Sequence, residues 1–302
     1  MKKILVYSAV IAGLSGCLAG GTPDHYTGKT DPAPLTVTNT KDVLEEITDV
    51  SEYQYSFLSA FGLGLDDSEK LSMSKGAARG LDPRASLSDG YASLGISATG
   101  GTADGACGGT LKMDISGSGT SAKSTLTLTD YCETSGAKET TTNGTLVMEA
   151  SGTDATGTLK FTMDLSSTDG TNTASSAGDM TWLISSTGAV SITMNMTSHN
   201  SKDDVSVKVE NYVYEFGLAP LTLSTSGKVF LSKHNGYVDI TTPTKFTGEG
   251  FSFTAGEMVF EAGTAKATLK VSATANKCDL EIDEDGDGTA ESTEVEDCSN
   301  YF

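Results

Sequence analysis

Residues 283–294 read DEDGDGTAESTE. Asp283, Asp285, Asp287 and Glu294 stand at positions 1, 3, 5 and 12 of that run, with Gly288 at position 6. Like charges crowded this closely repel one another, so the run calls for a cation. Cys278 and Cys298 bracket it, and their midpoint falls on Gly288. Chemistry-bearing residues elsewhere are sparse. The three histidines, His25, His199 and His234, lie in a polar N-terminal stretch and two turn-like segments. No H-E-x-x-H, G-x-S-x-G or spaced His/Cys set occurs, so the reading names no catalytic residue. Ser and Thr are abundant because they suit exposed strand faces, and no nucleophile stands out among them.

The acidic run resembles the calcium loop of EF-hand proteins. That resemblance implies a calcium ion held by the carboxylates of Asp283, Asp285 and Asp287 and the backbone carbonyl of Thr289. Glu291 acts through water and Glu294 is the bidentate ligand. Gly288 supplies the sharp turn. Two features depart from the family. Strand-like Leu280-Glu281-Ile282 precedes the loop instead of a helix, and Ala290 holds the position that usually pairs two loops. The expectation is a single structural calcium site within 278–298, clamped by a Cys278–Cys298 disulfide.

The chain opens MKKILVYSAVIAGLSGC. Lys2 and Lys3 form a positive start, and Ile4 to Leu14 form an apolar stretch too short to span a bilayer. Leu14-Ser15-Gly16-Cys17 resembles the lipobox of bacterial lipoproteins. The resemblance implies that residues 1–16 are a signal peptide, that Cys17 carries lipid such as palmitate, and that the protein is held on a membrane. Leu18, rather than Asp, follows Cys17, which points to the outer membrane or cell surface. Residues 17–37, rich in Gly, Pro and Thr, read as a lipidated tether.

The formal charge is −20. Removing Lys2 and Lys3 with the signal leaves 18 cations against 40 carboxylates, or −22. Such a chain repels nucleic acid, which is excluded as a partner. Four cysteines remain after Cys17, an even number for an oxidising compartment, and three pairings are open.

The elements that position these residues follow from periodicity. Val43, Leu44, Ile47, Val50, Phe57, Leu58 and Phe61 recur at helical spacing, predicting one amphipathic helix over 41–61 capped by Asn39 or Thr40. From about residue 91 onward apolar and polar residues alternate. Leu111/Met113, Leu126/Leu128, Leu146/Met148 and Phe161/Met163/Leu165 are examples, and Gly-, Ser- and Asn-rich turns separate such runs. This predicts a mainly β fold, 38–302 as a single domain. About a dozen strands form an antiparallel meander, as a barrel, half-barrel or stacked sheet, with the helix on its apolar face. If Cys107 faces Cys132, Leu111 faces Leu128 and Met113 faces Leu126, so apolar pairs match across one hairpin. That favours Cys107–Cys132 and Cys278–Cys298. The alternation slips near Asn211, where Tyr212, Tyr214 and Phe216 take over, predicting a bulge or a bend.

The functional expectation is an anchored lipoprotein with a structural or interaction role, stabilised by calcium. Its partners are the membrane, through the lipid, and a surface partner. The alternative is a carrier of a hydrophobic ligand such as a lipid, with a Met-rich lining that adapts to flexible molecules.

Overall fold

The computed structural model describes residues 23–48, 100–118, 120–135, 138–153, 156–218, 220–249, 252–272, 274, 277–298 and 301. Residues 1–16, expected as a signal peptide, Cys17, and residues 49–61 of the expected helix lie outside the described residues.

Alternating residues fold as the period of two requires. Fourteen strands follow one another antiparallel, and each pairs with its chain neighbours. They are β1 (Gly101–Asp104), β2 (Gly108–Ser118), β3 (Ser121–Ser135), β4 (Lys138–Thr153), β5 (Thr156–Thr168), β6 (Thr173–Ile184) and β7 (Val190–Asn200). Then come β8 (Val205–Leu218), β9 (Leu221–Leu231), β10 (Gly236–Glu249), β11 (Ser252–Ala262), β12 (Ala265–Val271), β13 (Lys277–Asp283) and β14 (Ser292–Asp297). The order is that of a meander, and no pairing joins β1 to β14 among the described residues. Contacts divide the chain into two compact units; the first holds β1–β6 with 196–206, the second 187–195 and β8 from Val207 onward through β14.

In the first unit, facing residues stack into apolar rows. Met113 pairs with Leu126, Leu126 with Leu146, and Leu146 with Met163. These side chains are 0–4% exposed. Phe161 sits between Met148 and Met180 in the next row, and all three are 0–1% exposed. Fully burying one such side chain stabilises the fold by about 1.5–3 kcal/mol.

The β2–β3 hairpin keeps the expected register at Leu111–Leu128 and Met113–Leu126. It shifts by one at its open end, where Gly108, not Cys107, faces Cys132. A bulge at Asp130 (φ 46°) absorbs the extra residue, and the Asn143 side-chain oxygen accepts the Asp130 N–H at 2.7 Å. The Cys107–Cys132 disulfide forms beside it, with Cα atoms 5.0 Å apart.

The second unit holds the predicted slip. Asn211 takes φ 49° and the β8–β9 register shifts between Glu210 and Val213. The Asn195 side chain accepts the Asn211 N–H at 2.8 Å. Gly227 on β9 packs against this bulge with φ 130°; a Cβ there would lie 2.5 Å from the Tyr212 Cα. Tyr212 is buried, whereas Tyr214 and Phe216 are half-exposed.

The helix occupies 40–48 among the described residues, and Val43, Leu44 and Ile47 are 0–4% exposed. Its entry is a turn held by Asn39, whose side-chain oxygen accepts the Thr36 N–H at 2.8 Å. Part of the stretch read as tether is fixed in the fold. Ala33 and Leu35 are 1–2% exposed, Pro32 bridges Tyr237 in parallel, and Ala33 donates its N–H to the Tyr237 carbonyl at 2.9 Å. Two apolar side chains here, spaced two apart, bury as a strand's do, which the Gly/Pro/Thr composition masks.

Candidate metal centre

β13 and β14 form a hairpin, with Ile282 paired to Ser292 and Leu280 to Glu294. The eight residues between the strands, 284–291, carry most of the acidic run. Its backbone folds onto its own carboxylates. Asp283 accepts the N–H groups of Gly286 (2.8 Å) and Gly288 (3.0 Å). Asp285 accepts from Asp287 (3.1 Å), and Asp287 from Thr289 (2.7 Å). Glu291 accepts the Glu284 N–H at 2.6 Å. Gly288 turns the chain at φ 88°, a conformation in which a Cβ would be strained.

The result brings one carboxylate oxygen each from Asp283, Asp285, Asp287 and Glu291 within 4.8 Å of one another. Three of the four side chains are exposed, so the oxygens are open to an incoming ion. Four carboxylates converging on one point can hold a metal ion. The Cys278–Cys298 disulfide closes the base of the hairpin, with Cα atoms 5.1 Å apart.

Glu294, expected as the bidentate ligand, lies outside this grouping. It lies in β14, paired with Leu280, and its carboxylate meets the Lys41 ammonium on the helix. Glu296, two residues on and on the same face, reaches Lys41 at 2.5 Å. These two acids hold the Lys41 ammonium above the usual lysine range. The physical reason is the element that follows the loop. A helix would curl position 12 back over the ion, whereas a strand carries it away at ~3.3 Å per residue. Glu291, the ninth residue of the run, fills the gap instead. Thr289 spends its N–H on Asp287 within the loop.

The loop is also tied to the N-terminal segment. Glu284 accepts the Val37 N–H at 3.1 Å. Burial pushes the Tyr301 phenol up to about 12, helped by the charge of Glu296. A second grouping of Cys107, Cys132 and Glu139 offers no thiolate, because its sulfurs are joined.

The histidines are dispersed. His234 Nε2 lies 3.0 Å from Glu46 on the helix, and Lys233 reaches the same carboxylate oxygen at 3.2 Å. His25 Nε2 lies 3.7 Å from Asp164 Oδ1 in the first unit. The His199 Nδ1 is buried without a hydrogen-bond partner among the described residues. The Glu46 contacts dock a helix on a sheet.

No family model, curated protein or solved structure matches this chain. Function must therefore be argued from the residues alone.

Proposed function

We propose that the protein is a lipid-anchored envelope lipoprotein, held by Cys17 at the outer membrane or cell surface. Its role is structural or interaction-based, and calcium at the 283–291 loop stabilises its C-terminal hairpin. The observation that carries the role is the filling of the apolar faces. Leu146, Met148, Phe161 and Met180 in the first unit, and Val43 and Leu44 with Val238 and Leu280 in the second, are 0–1% exposed. A carrier needs such side chains lining an accessible groove. Calcium is favoured because the cluster is all carboxylate, the donor type a hard divalent ion selects.

The test has two arms. Protein exported from its full gene should carry acyl chains on Cys17 by intact mass and float with membranes. A soluble form spanning 18–302, purified with calcium, should release no stoichiometric lipid on extraction. A stoichiometric lipid would replace the structural reading with the carrier one. Calcium should raise the Tm and a chelator should lower it; equal melting in both would remove the calcium claim.

A further inference from the structure

We propose that the outer face of the first unit, around Asp164 and Thr197, is the surface this protein presents to the bilayer that anchors it. The inference rests on the lipid-anchor reading above and adds the orientation that the fold imposes on it.

The argument begins where the N-terminal segment meets the sheet. His25 donates its N–H to Thr197 Oγ1 at 3.2 Å, and the same hydroxyl donates to the Pro23 carbonyl at 3.4 Å. The His25 ring reaches across to Asp164, 3.7 Å away. Asp164 lies on the face opposite Met163 and Leu165, which are buried, so residues 23–25 run over the outer, polar face. Ala177, the cross-strand partner of Asp164, is 1% exposed, and Thr197 is 8% exposed. Small side chains on a nominally outer face are thus covered.

Chain length then limits the anchor. Six peptide steps separate Cys17 from Pro23, and six extended residues span at most about 22 Å. A lipid on Cys17 therefore cannot lie farther than that from the Thr197 contact. A free tether of 17–37 would have allowed ~70 Å and any orientation. With residues 23–25 fixed, the bilayer surface has to lie near this face. The face suits water and headgroups: among its neighbours on β4 and β5, Thr145, Thr162 and Ser166 are polar, and Val147, opposite Thr162, is a single half-buried apolar side chain. Contact is enforced by the covalent lipid, not by penetration.

The test uses the full lipidated chain in zwitterionic vesicles with a headgroup dye. Single labels are placed through Thr162→Cys or Thr120→Cys, both exposed positions. Thr162 is two residues along β5 from Asp164, ~7 Å. Thr120 lies two strands across and seven residues along, ~25 Å away. Energy transfer to the dye should be at least about twofold stronger at Thr162 than at Thr120. A Gly/Ser insertion of about 20 residues after Gly21 should abolish that difference while flotation is kept. The pair His25→Ala, Asp164→Asn should weaken it. Flotation with equal transfer at both labels would overturn the orientation and leave the anchor standing. Failure to float would remove the anchor, and this proposal with it.

Discussion

Two glutamates three residues apart end in different environments, and that separation is the sharpest statement at the residue scale. Glu291 joins Asp283, Asp285 and Asp287, while Glu294 meets Lys41. Calcium binding should follow the geometry and not the motif. Glu291→Gln should weaken calcium affinity about tenfold or more, and Glu294→Gln should change it less than about threefold. Titration calorimetry on both variants decides this. A Glu294→Gln loss equal to that of Glu291→Gln would show that the hairpin rearranges to recruit position 12 when the ion binds. Tyr301 supplies a pH prediction. Its phenol is held neutral by burial, up to about 12. A folded value raised above the unfolded one contributes stability that is full below pH ~10 and is lost as pH rises toward 12. Denaturant midpoints should therefore fall over that window, and Tyr301→Phe should flatten part of the fall.

At the scale of elements, the bulges and the helix carry the argument. The bulge at Asn211 needs a partner strand without a side chain at Gly227. Gly227→Ala combines a φ of 130° with a clash against backbone, so it should destabilise by about 2 kcal/mol or more. Chemical denaturation would show it, and a loss under ~0.5 kcal/mol would mean that the β8–β9 ladder can slide. The helix is docked by Val43, Leu44 and Ile47 and by ion pairs at Lys41 and Glu46. Exposed ion pairs contribute at most about 1 kcal/mol, whereas truncating a buried leucine costs about 2–5. Leu44→Ala should thus lower stability far more than Lys41→Met, measured by thermal melts of the two variants. Two strands were not legible. β14 (STEVED) has one apolar residue, Val295, and that is 62% exposed. β1 (GTAD) has four residues and little hydrophobicity. Neither shows alternation, because each is held by pairing to one neighbour and not by burying a face.

For the whole molecule, charge and topology pull in opposite directions. A net charge of −20 favours solubility and opposes compaction. The meander answers with ladders between chain neighbours throughout, and with two disulfides across loops of 25 and 20 residues. Closing a loop of that length stabilises by about 3 kcal/mol. The acidic hairpin at the C-terminal end is the densest part of this charge, and a bound cation would relieve it.

The sequence by itself determined the β class, the meander, the apolar pairs of the β2–β3 hairpin, both disulfides and the break in alternation at Asn211. Each is a relation between residues close in the chain, and a period of two writes such relations directly into residue types. Tertiary structure decided which glutamate joins the carboxylate cluster, how Ala33 and Leu35 dock, and what faces the helix. Those contacts join residues as far apart as Glu46 and His234, or Val37 and Glu284, 188 and 247 positions apart. Local pattern records that a side chain will be buried or paired. It holds no record of a partner that only the packing of one element on another brings near.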